Sequence, residues 1–420
     1  MKNINLFLLF FICNFISAQE VQGIIGSANW FEGWTNFKPK STEYNQQTKI
    51  LSGNISINTT LYKKYVYMLA GTVRIVDKAI LTIEPGTVIR GDSETLGALI
   101  ITKGSKINAI GTDSDPIVFT SNKLPSDRKA GDWGGLIILG DAPINTPGSM
   151  ACFQFDINPK YNMYGGKNDN DSSGTLKFVR VEFGGKKDIT GYSSNGISLA
   201  GVGGKTVLEN IIVSNSLDDS FQIYGGNLLL NNIISVLAKD DDFDLTSGTQ
   251  CTINNSIAIR YPYTSDVLRS RCFEIETFEK RDDFDGTKKK TLVKLNNVTM
   301  VNNEDNNMGL VKEAVFLNEE AELEINKCVV TGFSSFVSLN NYFFHDDNFK
   351  KIKIVNSKID NCPSLFSEET SKINFEINQM LSVIKDWYMV PKNKITQTQI
   401  GVKNLFINND IKKNPDFRLK

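Results

Sequence analysis

The chain has 420 residues, 40% of them hydrophobic, and its 46 basic residues balance 47 acidic ones for a formal net charge of −1. That balance leaves no electrostatic footprint for nucleic acid or for an anionic membrane surface. The length suits two average domains or one large repetitive β fold.

Lys2 supplies a positive start, Leu6 to Ile16 a short apolar core, and Ile16-Ser17-Ala18 a small-residue cleavage site before Gln19. This is the pattern of a Sec signal peptide over residues 1–18. It predicts export, with the mature protein in the periplasm, at the outer membrane or outside the cell. Cys13 lacks the small residue expected before a lipoprotein cysteine. No stretch reaches the roughly 18 to 20 apolar residues that a spanning helix needs, so no transmembrane segment is expected. Residues 19–65 open with Trp30, Phe31, Trp34 and Phe37 and then alternate polar and apolar, which reads as an N-terminal cap over the exposed edge of a solenoid.

Residues 66–365 consist of short apolar runs rich in Val, Ile and Leu, separated by Gly, Asn, Asp and Ser. That is strand punctuation. One pattern returns as Leu208-Glu209-Asn210-Ile211, Leu230-Asn231-Asn232-Ile233, Ile253-Asn254-Asn255-Ser256, Leu295-Asn296-Asn297-Val298 and Ile325-Asn326-Lys327-Cys328, with steps of 22, 23, 42 and 30 residues. Asp218-Asp219-Ser220-Phe221 recurs as Asp240-Asp241-Asp242-Phe243 at the same 22-residue offset. About 22 residues make one coil of a β-solenoid, and the longer steps are coils carrying loop insertions. The fold class expected is therefore all-β, a solenoid whose corner Asn residues hydrogen-bond across rungs while the flanking aliphatics fill the interior.

The largest interruption is the loop 260–291, whose charged run Glu279 to Lys290 reads as a solvated loop, with a partner-contact loop as the other reading. Beyond it, Phe375, Ile377, Met380, Leu381, Ile384 and Trp387 fall at helical spacing. They predict a short amphipathic helix within a C-terminal cap over residues 366–420.

Glu84-Pro85-Gly86-Thr87-Val88-Ile89, Pro116-Ile117-Val118-Phe119-Thr120-Ser121 and Gly131-Asp132-Trp133-Gly134-Gly135-Leu136-Ile137-Ile138-Leu139-Gly140 resemble motifs of a group of secreted Gram-negative bacterial proteins in the pectin-lyase-like superfamily. The resemblance implies a right-handed parallel β-helix and leaves chemistry open, because the group has no established activity. Many such secreted proteins end in an immunoglobulin-like sorting domain. Here Asn414 to Lys420 resembles a closing coil, and export through such a domain is not expected.

Five cysteines follow the cleavage site, Cys152, Cys251, Cys272, Cys328 and Cys362, without Cys-x-x-Cys spacing and with His345 as the sole histidine. A structural zinc site is disfavoured. Rungs roughly 4.8 Å apart make a Cys251–Cys272 disulfide conceivable, and buried free thiols are the other reading.

Stacked coils bring Asp218, Asp219, Asp240, Asp241, Asp242 and Asp244 together as a candidate calcium column, since calcium takes six to eight oxygen ligands. The alternative is that these Asp residues cap turns by accepting backbone N–H groups. Asp169-Asn170-Asp171-Ser172-Ser173-Gly174 begins like an EF-hand loop, but Arg180 stands where the bidentate Glu belongs, and it reads as a turn. Lyases of this fold use calcium with an Arg or Lys base, for which Lys239, Arg260, Arg269 and Arg271 are candidates. The Gly-His-Gly segment of related glycosidases is absent. Tyr224, Tyr261, Tyr263, Tyr342 and Phe343 are candidates to stack on sugars or to cover the solenoid. No complete catalytic signature emerges. The leading expectation is a non-catalytic cell-envelope β-helix that binds a polysaccharide or an envelope protein along its face or loops. A calcium-dependent polysaccharide lyase and a structural subunit of an outer-membrane assembly are the alternatives.

Overall fold

The structure is a computed structural model and describes residues 21–26, 28–265, 269–304, 309–369 and 375–420, so the signal peptide expected over 1–18 lies outside the described residues. Short strands follow one another from Lys49 to Thr398 and pair in parallel into a 19-stranded and an 11-stranded sheet. Each coil contributes to both sheets, which makes a parallel β-helix, right-handed as parallel crossovers are. The predicted register is the observed one: Glu209 lies opposite Asn231, Asn231 opposite Asn254, Asn254 opposite Asn296 and Asn296 opposite Asn326.

The larger sheet bends along a row of residues held in the left-handed region, Phe178, Asn210, Asn232, Asn255, Asn297, Lys327 and Asn356, with φ between 47° and 56°. Asn tolerates that region because its short polar side chain bonds locally. Beside this row the amides form a ladder, in which Nδ2 of Asn254 donates to Asn231 (3.0 Å), Asn296 to Asn254 (3.1 Å) and Asn356 to Asn326 (2.9 Å). The interior is mainly aliphatic and includes an aromatic column, Phe221, Phe243 and Phe273, stacked at centroid distances of 5.0 and 4.8 Å.

Phe273 belongs to the strand Phe273–Ile275, which continues the second sheet through the middle of the expected loop 260–291. The uninterrupted insertion read from the sequence is thus two shorter loops around a rung. All five cysteines are free. Cys251 sits in a strand of the bent sheet and Cys272 beside a strand of the second sheet, so the conceivable disulfide does not form. Burial pushes the Cys328 and Cys362 thiols up to about 12, as expected of apolar fillers.

The helix Phe375–Tyr388 covers the C-terminal end, with Ile384 and Tyr388 buried against the last coils. Residues 21–48 do not sit over the first coil. They run back along the side of the bent sheet, from Asn356, whose carbonyl accepts from Gln22, to Val66, whose carbonyl accepts from Thr48. Phe31 and Trp34 are buried there against a lateral cluster that includes Ile212, Ile234, Ile257 and Val301. The outward face of those strands is itself apolar, and it draws the aromatics away from the end. The terminal segment joins them: Asp416–Leu419 pairs antiparallel with Phe406–Asn408 and packs Phe417 on Phe31, so it closes this side and is not a closing coil.

Candidate functional site

The acidic repeat stands in the turns leading into the strands Phe221–Tyr224 and Phe243–Thr246, which pair with Phe221 opposite Phe243. Its members separate into three roles. Asp219 and Asp241 cap turns: the Asp241 N–H donates to Asp219 Oδ1 at 2.9 Å, and the Arg271 N–H donates to Asp241 Oδ1. Asn195 Oδ1 accepts from the Asp219 N–H at 3.1 Å and starts the same ladder one coil earlier. Asp242 turns inward, where Ser235 donates to it and the fully buried Arg260 lies 3.3 Å away. Asp244 faces outward from the second sheet and accepts from Gln222.

A single six-residue column is therefore not formed. Oxygens of Asp218, Asp219 and Asp240 do lie within 4.8 Å of one another, a spacing that suits one cation with oxygen ligands at about 2.3–2.6 Å. Asp242 is removed from that group by its partner Arg260, and Asp244 by its place on the next face.

Two outward rows form the floor of the second sheet. One runs Ser198, Gln222, Asp244, Glu274, Phe316 and Ser338. The other holds Tyr224 and Thr246, followed by Glu276, Asn318 and Asn340, the last three joined by amide hydrogen bonds of 3.2 and 2.6 Å. Over the earlier rungs, the antiparallel strands Ala151–Cys152 and Met163–Tyr164 belong to an insertion that lays Ile144, Phe153, Phe155 and Tyr164 on Ala98, Ile100, Ile137 and Leu139. Where this cover ends, a cleft of about 450 Å³ opens, lined among others by Phe153, Tyr164, Tyr192, Tyr224, Glu279 and Asp283. Ring centroids in it lie 5.8 Å (Phe153 and Tyr224) and 6.1 Å (Tyr164 and Tyr224) apart.

Burial first, and then mutual repulsion, holds the carboxyls of Asp219, Asp241 and Asp244 well above the usual carboxylate range. Glu276 is pushed up to about 8, by burial and then by Glu274 and Glu279. Such a face must take up protons or cations. The candidate lyase bases do not answer this need. Arg260 is locked to Asp242, and Arg271 pairs with Glu274, lies 3.6 Å from Glu313 and covers the Phe316 ring at 4.4 Å. Arg269 lies 3.9 Å from Glu313, while Lys239 is exposed.

Of the aromatics singled out from sequence, Tyr224 lines the cleft, Phe343 is fully buried, and Tyr261 belongs to the lateral cluster. His345 is exposed. The Asp171 N–H donates to the Asn168 carbonyl at 2.9 Å, a turn as read from the sequence, and its carboxylate accepts from the distant Asp141 N–H at 3.2 Å. Gly203 packs so closely on that turn that a Cβ would lie 2.4 Å from the Asp171 nitrogen, which accounts for this glycine. Glu274, Glu276, Phe153 and Tyr164 escaped the sequence reading. A signal for Glu274 was present: Phe273-Glu274-Ile275 repeats the order of Phe243-Asp244-Leu245, a Phe, an acid and an aliphatic. Phe153 and Tyr164 lie in an insertion with no repeat to mark them.

Coils wound about one axis, with loops gathered over the outer face of one sheet, define a parallel β-helix protein with a lateral cleft. Residues 53–397 match the pectate-lyase like beta helix domain, and the chain belongs to that family. No curated protein and no solved structure matches it.

Proposed function

We propose that this protein is an exported, non-catalytic β-helix that holds a carbohydrate chain in the cleft over its second sheet. The observation that carries the reading is the group of packed rings Phe153, Tyr164 and Tyr224 in a cleft beside Glu279 and Asp283. Aromatic faces cover the apolar faces of sugar rings, and carboxylates accept their hydroxyls, the usual mixture of a ligand pocket. Membership of a pectate-lyase-like family supports a carbohydrate over other ligands. Binding is favoured over β-elimination because Arg260 and Arg271 are held in ion pairs and are poor proton acceptors. A glycan array followed by calorimetry tests this: Tyr224→Ala is expected to abolish binding of whichever oligosaccharide the native protein retains. Retention of every glycan ligand by that variant would remove the cleft from the function. Export is checked by the amino terminus of the protein recovered from the cell envelope or medium, expected to begin at Gln19.

The oxygen spacing of Asp218, Asp219 and Asp240 favours a second reading, a calcium-assisted lyase. These three residues would hold the ion, which would supply charge neutralisation at a substrate carboxylate. Calcium-dependent release of unsaturated oligosaccharide, lost in Asp219→Asn, would replace the binding reading.

A further inference from the structure

The balanced charge of the whole chain conceals a local segregation of sign. Asp218, Asp219, Asp240 and Asp241 stand in the turns at one side of the second sheet, Asp244, Glu274 and Glu276 on its floor, and Glu279 and Asp283 at the cleft. Two of the nearby arginines are committed. Arg271 is paired with Glu274 and Arg269 lies by Glu313, while Lys280 is the one basic residue lining the cleft. Two oxygens on the floor, Asp244 Oδ1 and Thr246 Oγ1, are shut from solvent and have no hydrogen-bond partner among the described residues. Thr246 is fully buried, with Tyr224 opposite it in the preceding coil and Glu276 next to it in the following one.

We infer that the carbohydrate held in this cleft bears free amino groups, as a chain of glucosamine-type residues does, with its ammonium groups seated against Glu279 and Asp283, the two carboxylates that line the cleft with Tyr224. The inference rests on the carbohydrate reading above. A polyuronate would bring carboxylates onto a face already crowded with them, and like charges brought together out of water repel strongly. A neutral chain would leave Glu279 and Asp283 with Lys280 alone to balance them. An ammonium group supplies positive charge and three donors, and the adjoining ring faces attract a cation. A basic peptide offers the same ammonium. The cleft walled by Phe153, Tyr164 and Tyr224 suits flat rings better than flexible lysine stems.

Calorimetry on the mature protein with short oligomers of glucosamine, N-acetylglucosamine, galacturonate and lysine tests the inference. Glucosamine oligomers are expected to bind at least about ten-fold more tightly than acetylated ones, and to weaken as salt is raised. Glu279→Gln and Asp283→Asn are expected to lower the glucosamine affinity about ten-fold while leaving the weaker N-acetylglucosamine affinity in place, a result that misfolding could not produce. Equal affinity for the two sugars, or tighter binding of galacturonate, overturns the amino-sugar inference and leaves the carbohydrate reading standing. Binding of oligolysine alone, or of none of the four, overturns both.

Discussion

Glu276 carries a carboxyl that its surroundings keep protonated near neutrality, with a value raised from 4.5 to about 8. A carboxyl raised in the folded state binds more protons folded than unfolded, so its stabilising contribution is complete below the unfolded value and is lost as pH climbs through the folded one. The melting temperature is therefore expected to fall from about pH 5 to about pH 8, and Glu276→Gln, which cannot ionise, is expected to reduce that fall. A variant whose melting curve tracks the native protein at every pH would show that Glu276 is not the group responsible. Asp242 and Arg260 pose the opposite case, a charge pair sealed inside a corner with exposures of 0% and 1%. Arg260→Met leaves Asp242 without its charge partner, at an expected cost of about 3–5 kcal/mol in urea unfolding. Adding Asp242→Asn to it should restore much of the loss, because the penalty lies in the uncompensated charge. The acids that the sequence made conspicuous were the consecutive ones. Their separate fates depended on partners that no local spacing reveals: Arg260 lies 18 residues on from Asp242, yet reaches it only through the next coil.

At the scale of the element, the bend in the coils from Phe178 to Asn356 rests on one left-handed residue each, and Asn232 with φ 56° is representative. Asn232→Gly is expected to change stability by only a few tenths of a kcal/mol beyond the lost hydrogen bond from Asn255. Asn232→Val, β-branched in the same conformation, should lose about 1–3 kcal/mol more than the glycine variant. Chemical denaturation of the pair checks the difference, and equal stabilities would mean that the bend is set by packing. This part of the fold was legible because it is periodic: an aliphatic and a corner with an Asn recur in the coils from Leu208 to Asn326, and the observed register follows them. The strand Phe273–Ile275 was less legible because it is three residues long between two polar loops, and charge density there outweighed a single short apolar alternation.

For the whole molecule, the side of the bent sheet is closed by the two ends of the chain together. Trp34, 1% exposed, packs edge-on to Phe178 at 5.9 Å, and Glu182 accepts from Thr120, Tyr44 and Asn36, tying the same segment to the coil beneath. Nothing local announces this placement. A Trp and Phe cluster serves an end cap or a lateral strap equally well, and the contacts that decide between them join residues as far apart as Ile24 and Thr299. An end cap and a strap differ in what they expose when lost. Trp34→Ala is expected to cost about 3–5 kcal/mol, as large aromatic truncations do. If residues 21–48 act as a strap, that cost falls on the strap first: amides of Ile24 and Ile25, which bond to Thr299 and Asn255, should exchange faster, while those of Phe221–Tyr224 and Phe243–Thr246 stay protected. The uncovered apolar row from Ile212 to Val301 should then bind a hydrophobic dye in the folded protein. Uniform loss of protection across all these amides would instead mean that strap and coils unfold as one unit, and that the lateral cluster is as much a part of the core as the column of Phe rings inside.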